Sequence, residues 1–278
     1  MPNRVWHTKF FYLRHTMKIK SILTLYKENN LELESTSSLV LDYLNSLAII
    51  EDDTIQKKLL KEVIQKYVIL EKKVDSLLKN TLPAKVAEEI KYEGWFTPRS
   101  YNCTILFSDF VGFTRLSERI SGEVLIGILD KLFSAFDKIT ARFKGTKIKT
   151  IGDSYMAVFG APDEFEEHAV MAVRAGLALL KVIETFNGES DKEFHIRIGI
   201  HTGKVMAGVV GEERMQFDVF GDNVNTASRL ESSGETGKIN ISEETYLQTR
   251  NFFKFEERGK ISLKNKDSMK AYFVIKEL

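Results

Sequence analysis

A run of strong β-formers that stops at a carboxylate and turns through a glycine constrains this chain more than any other stretch: C-T-I-L-F-S-D-F-V-G-F-T, Cys103–Thr114. Its echo follows at Lys147–Phe159, K-I-K-T-I-G-D-S-Y-M-A-V-F. Each reads as a strand that ends by holding out one aspartate, Asp109 in the first and Asp153 in the second. Two carboxylates on neighbouring strands suit hard divalent cations, because Mg²⁺ is commonly held by one or two carboxylates together with phosphate oxygens. Taken singly, either aspartate reads equally well as a turn residue or a helix cap.

Strands and helices alternate around this pair. Strand Asn102–Ser108 leads into the Asp109 turn. Ser121 and Gly122 open a helix whose apolar positions Leu125, Ile128, Leu129, Leu132, Phe136 and Ile139 keep a helical period. Lys147–Gly152 and Ser154–Phe159 form a hairpin with Asp153 near its tip, and Glu166–Phe186 is a second long helix with Val170, Val173, Leu177, Leu180 and Ile183 inward. Phe194–Gly203 reads as a strand, and Val205–Val210 with Met215–Phe220 as a further hairpin. A helix over Asn223–Glu231 and strands Phe252–Glu256 and Ala271–Ile275 follow. The order βαββαβ predicts an α+β chain, a ferredoxin-like or palm-like sandwich with a largely antiparallel sheet and helices on one face.

Upstream the period changes. Leu60, Val63, Tyr67, Leu70, Val74 and Leu77 follow the alternating three-and-four spacing of a coiled-coil seam, with Lys66 and Glu71 placed to pair between parallel strands. The same spacing also fits a single amphipathic helix lying on its own domain. Leu82-Pro83 breaks the pattern and starts a short helix over 83–91, and Gly94 to Pro98 marks the entry to the main domain. The expected organisation is therefore an extension of unassigned role over 1–50, a dimerising helical linker over 51–97 with its coiled coil at 60–77, and a main domain over 98–278.

Composition removes several classes of function. With 278 residues, 43% of them hydrophobic, the chain can bury a full core. A net charge of +1, from 40 basic and 39 acidic residues, gives no field for nucleic acid. The single cysteine, Cys103, makes neither an internal disulfide nor a cysteine-rich metal site. Its best apolar stretch, Ser38–Ile50, is interrupted by Asp42 and Asn45, and charges recur through Arg4, Lys9, Arg14 and Lys18 where a signal peptide needs an apolar core. The expectation is a cytoplasmic protein whose N-terminal aromatics, Trp6, Phe10, Phe11 and Tyr12, pack locally rather than touch a membrane.

After Asp109 the segment Phe110-Val111-Gly112-Phe113-Thr114 reads as the start of a helical turn, where Gly112 allows a polyphosphate close to free amides. Gly199-Ile-His-Thr-Gly-Lys-Val205 imitates a P-loop but is one residue short and has Val205 where a Ser or Thr is required.

Four stretches in this order and spacing, F-S-D-F-V-G-F-T, I-K-T-I-G-D-S-Y-M, I-R-I-G-I-H-T-G and F-D-V-F-G-D-N-V-N-T-A-S-R-L, resemble the catalytic domain of class III nucleotidyl cyclases over about residues 98–276. The resemblance implies that Asp109 and Asp153 hold two Mg²⁺ or Mn²⁺ ions per site, assisted by the Phe110 carbonyl, with the triphosphate beside Gly112, Phe113 and Thr114. It makes Arg197 and Lys264 the cations facing the triphosphate, although the lysine-rich I-S-L-K-N-K-D allows Lys266 in place of Lys264. Asn225 and Arg229 would orient the ribose and stabilise charge at the α-phosphate. Lys149 and Asp218 fall at the base-reading positions, where an ammonium suits the adenine N1 acceptor and a carboxylate its 6-amino donor. Guanylate cyclases of this family carry a Glu and a small residue such as Cys there. The implied activity is conversion of ATP to 3′,5′-cyclic AMP and pyrophosphate by a head-to-tail homodimer whose two sites each draw on both chains, the alternatives being a guanylate cyclase and a non-catalytic cyclase-like module that only dimerises.

Overall fold

The computed structural model describes residues 53–278 apart from 119, 191, 213 and 262–267, so the extension over 1–50 with its Trp6–Tyr12 cluster lies outside the described residues. Two compact units divide the chain at Leu77/Leu78. Most of helix α1 (Asp53–Thr81) lies in the first, and the seam residues Tyr67, Leu70, Val74 and Leu77 are all exposed on it. No helix among the described residues is long and apolar enough to cross a membrane.

In the second unit, helix α2 (Ala84–Glu93) buries Val86 and Ala87 completely or nearly so. Those two side chains join Phe96, Phe107 and Phe217 in one cluster. The compact unit therefore takes in the short helix that the sequence assigned to the linker. Gly94, in the left-handed region at φ 84°, ends α2 by donating its N–H to the Ile90 carbonyl.

Strand β1 (Arg99–Phe110) is the axis of the sheet. It is followed by a short helix α3 (Phe113–Ser117), the long helix α4 (Gly122–Arg142), the hairpin β2 (Gly145–Ile151) and β3 (Ser154–Phe159), and helix α5 (His168–Glu189). Then come β4 (Ile196–Val210), β5 (Gln216–Phe220), α6 (Asp222–Ser232), β6 (Ile239–Ser242), α7 (Glu243–Thr249), β7 (Phe253–Ile261) and β8 (Met269–Glu277). The βαββαβ unit assembles as β2-β3-β1-β4, as expected, and the sheet continues through β6, β8 and β7, with β5 on β4. Among the described residues every pairing is antiparallel except β4 with β6.

Three sequence expectations change. The predicted strand Phe194–Gly203 and the next hairpin arm are one strand, β4, which pairs with β1 from Arg99↔Ala207 to Phe110↔Ile196. Gly203 read as a break, yet it lies in mid-strand where a neighbouring side chain presses on the backbone: a Cβ there would stand 2.6 Å from the Asn223 amide. Helices cover both faces of the sheet, not one. Leu106, Ile198 and Ile200 pack with α4 and α5, while Cys103, Ile105 and Phe107 share the opposite face with α2 and α6. What admits α6 is Gly199, where a Cβ would lie only 2.1 Å from the Glu231 amide nitrogen. Finally, β6 and α7 escaped prediction because four strand residues are too few to show a period. The signal available was Ser242, whose hydroxyl caps α7 by accepting from the Thr245 N–H at 3.3 Å.

An aromatic chain supports the far end of β1. Phe110 packs against Phe133 at 6.2 Å and edge-on to Phe194 at 5.8 Å, and Phe133 stacks on Tyr155 at 5.9 Å between centroids. The buried Tyr155 hydroxyl donates to Asp137 Oδ1 at 2.9 Å and accepts from the Thr140 hydroxyl at 3.1 Å. These contacts hold the backbone that presents Asp109.

Candidate active site

Alternation along β1 places Asp109 on the face of Ile105 and Phe107, the face that carries α6, and sends Phe110 into the opposite core. Asp109 therefore lies in the strand, one residue from its end, opposite Arg197 on β4. Asp153 occupies the two-residue loop between β2 and β3, after Gly152 at φ 63°. A glycine with positive φ at the first loop position matches the twist of the hairpin. Ser154, which begins β3, donates its hydroxyl to Asp109 Oδ1.

Burial and the neighbouring Asp109 charge push the Asp153 carboxyl above its usual range. A carboxylate whose ionised form is disfavoured by an acidic neighbour, one acid on β1 and the other in a tight hairpin loop, suits a divalent cation. Asp109 and Asp153 are two carboxylates that could serve as charged donors, and among the described residues no cluster of three or more His, Cys, Asp or Glu that could hold a metal is present. That donor set fits Mg²⁺ or Mn²⁺ completed by water, phosphate and a backbone carbonyl such as that of Phe110. Arg197 currently answers the negative charge: its Nη2 donates to Asp109 Oδ2 at 3.3 Å.

Sequence reasoning missed a second acid on Arg197. Glu231, near the end of α6, is 7% exposed, and its Oε1 faces Arg197 Nε at 3.1 Å without the alignment of a full hydrogen bond. Burial first, then the Asp109 charge, push its carboxyl up to about 7, with Arg197 opposing. A raised carboxyl favours the folded state while protonated. Its contribution is complete below about pH 4.5 and is lost as pH rises to about 7, by up to about 3 kcal/mol. Glu231→Gln removes that titration, so in metal-free protein the unfolding free energies of wild type and variant diverge by this amount between pH 4.5 and 7.5. Denaturant melts at both pH values check it, and a difference independent of pH refutes it.

The base-reading candidates form a separate group. Lys149 on β2 donates its Nζ to Asp218 Oδ2 on β5, with the lysine side chain 30% and the aspartate 13% exposed. The other Asp218 oxygen accepts from the Val219 N–H at 2.9 Å, which fixes the carboxylate. Asn225 and Arg229 share a face of α6, Asn225 exposed and Arg229 half-buried. The structure thus joins Asp109, Arg197 and Glu231 and, separately, Lys149 and Asp218. Among the described residues no hydrogen bond or ion pair joins Asn225 or Arg229 to either group. Gly112, at φ 72°, turns β1 into α3, whose first residue is Phe113. The Thr114 side chain, Lys264 and Lys266 lie outside the described residues.

The family model for the adenylate and guanylate cyclase catalytic domain matches residues 97–276. The chain belongs to this family. This cyclase is 38% identical over 221 residues to receptor-type guanylate cyclase gcy-28 of Caenorhabditis elegans, a match covering 78% of the chain and 17% of that relative. To human guanylate cyclase soluble subunit beta-2 it is 36% identical over 251 residues, 88% of the chain and 41% of the relative. It therefore spans less than half the length of either relative. Among solved structures, the guanylate cyclase domain of RhGC from Catenaria anguillulae in complex with GTP superposes with a TM-score of 0.63 at 36% identity, over 65% of this chain and 100% of that one. The adenylyl cyclase CyaB from P. aeruginosa superposes with a TM-score of 0.62 at 34% identity, over 65% and 96%. The cyclase is a class III nucleotidyl cyclase domain of α+β fold.

Proposed function

We propose that this cyclase converts ATP to 3′,5′-cyclic AMP and pyrophosphate at two sites shared across a head-to-tail homodimer. The observation that carries the choice of base is the pairing of Lys149 with Asp218, which holds a donor beside an acceptor at one place on the sheet. Adenine presents an acceptor at N1 beside a donor at its amino group and can engage both. Guanine presents the reverse and leaves both protein groups unpaired.

In this reading Asp109, Asp153 and the Phe110 carbonyl hold two divalent ions. When bound, these ions supply Lewis acidity that lowers the pKa of the ribose 3′-hydroxyl and offsets the triphosphate charge. Arg197 moves from Asp109 to the triphosphate, and Lys264 adds a second cation. Asn225 orients the ribose so that the 3′-oxygen attacks the α-phosphorus in line with the departing pyrophosphate. Arg229 stabilises the charge that grows on the α-phosphate.

The proposed partner is a second copy of this chain. Metal-binding and transition-state residues lie on one chain with no hydrogen bond or ion pair between them among the described residues, as expected if each set serves a different site of a two-fold dimer. The exposed seam of α1 suits a parallel second copy of the same helix, a coiled coil over 60–77 in a linker between the extension and the catalytic domain.

GTP is the alternative substrate, favoured by relatives named as guanylate cyclases. Incubating the purified protein with ATP or GTP and Mn²⁺, and identifying the product by mass, tests the reading. Cyclic GMP as the main product overturns the adenine choice, and specific activity that does not fall on dilution overturns the shared site.

A further inference from the structure

The segment that imitates a P-loop has another use. Gly199, His201 and Gly203 alternate along β4 and so point to one face, the face under α6. A Cβ on Gly199 would collide with the backbone of α6, 2.6 Å from the Ala227 carbonyl oxygen as well as 2.1 Å from the Glu231 nitrogen. A Cβ on Gly203 would collide with the Asn223 side chain. The two glycines let α6 rest directly on the strand at both ends, with His201 between them.

His201, 4% exposed, ties down the first turn of that helix. The N-cap of α6 is Gly221, which offers no side-chain bond, and Asn223 anchors the first turn from within it. Its Nδ2 donates to the Lys204 carbonyl at 2.7 Å, which turns its Oδ1 towards His201 Nε2 at 2.9 Å. The amide orientation assigns the proton to Nε2 and leaves Nδ1 to accept from the Ser242 hydroxyl at 2.8 Å. Glu244 Oε2 stands 3.7 Å from Nδ1, beyond hydrogen-bond reach. Behind Ser242 the hydroxyls of Thr245, Thr202 and Thr104 continue the chain at 3.2, 3.0 and 2.8 Å, to His168 Nδ1 at 2.8 Å. With His201 Nδ1 as acceptor, every link is satisfied only if all of them donate towards His201.

We propose that His201 is a positioning residue of the cyclase reaction: seated between Gly199 and Gly203, it sets through Asn223 the place of the helix that carries Asn225 and Arg229. The inference rests on the cyclase reading above. Groups that act on the transition state lose rate, not ground-state affinity, when displaced, and a shift of about 1 Å costs about 100-fold.

Turnover of the full chain with nucleotide and Mn²⁺ is measured for wild type and three variants, alongside their melting temperatures. His201→Asn keeps a group near the Nδ1 position and loses the link to Asn223. His201→Gln places an amide N–H near the Nε2 position and restores it. Asn223→Ala removes the link from the other side, at a half-buried residue whose truncation leaves the core intact. His201→Asn and Asn223→Ala lower kcat about 10- to 100-fold with KM within about 3-fold, and His201→Gln stays within about 5-fold of wild type. A purely structural role predicts rates that follow melting temperature instead. If wild type makes no cyclic nucleotide, the cyclase reading fails. If wild type is active and Asn223→Ala keeps its kcat, the positioning role fails. In ¹⁵N spectra of wild type, His201 is the Nε2–H tautomer, and the Nδ1–H tautomer overturns the assignment.

Discussion

Asp153→Asn lowers cyclic-nucleotide formation by about 1,000-fold or more, with folding intact. In the proposed site this carboxylate would be one of two charged donors, and a neutral amide in its place would not offset cation charge. Stability rises slightly in the metal-free protein, since the substitution removes a carboxyl already strained by burial and by Asp109. Melting curves alongside initial rates separate the two effects. Complementation extends the test to the shared site. Asp153→Asn and Lys149→Ala, each inert alone, are mixed in equal amounts. Half of the dimers formed are then mixed, and each carries one intact site, so activity returns to about a quarter of wild type. No return of turnover from a mixture shown to exchange subunits sinks the two-chain site.

Lys149→Glu combined with Asp218→Cys exchanges the base preference, shifting the ratio of kcat/KM for ATP over GTP by about 1,000-fold or more towards GTP. The glutamate accepts from the guanine N1–H, and the small thiol makes room at O6. Both changes are needed. In the structure the lysine and aspartate neutralise each other, so Lys149→Glu alone sets two carboxylates side by side and weakens binding of either base. Rates with each nucleotide for the single and double variants check this, and an unchanged preference in the folded double variant removes these residues from base selection.

The parts of the site that could be read in advance share one property: each is a local pattern. Asp109 ends a run of β-formers, Asp153 follows the glycine of a tight hairpin, and Asn225 and Arg229 stand four apart on a helix. Glu231 was passed over although it lies two residues beyond Arg229, because nothing in S-R-L-E-S marks that glutamate as buried. It becomes an unusual acid only when α6 settles on Gly199 and turns it towards Arg197, which is thirty-four positions away on β4. His201 was set aside with a failed phosphate-loop match. Its role depends on Asn223 and Ser242, which reach it from a helix on one face and from the end of a neighbouring strand.

By itself the sequence determined the class of fold, the order of the first strands and helices, and the residue types that make a nucleotidyl cyclase, because period, turn chemistry and motif spacing act over short distances along the chain. Only the tertiary structure decided that β4 runs unbroken through Gly203, that helices lie on both faces of the sheet, and that Arg197 sits between two acids. Those outcomes depend on how closely one backbone can approach another. A missing Cβ at Gly199 and Gly203 sets that distance, and its meaning appears only once α6 is lying on the strand.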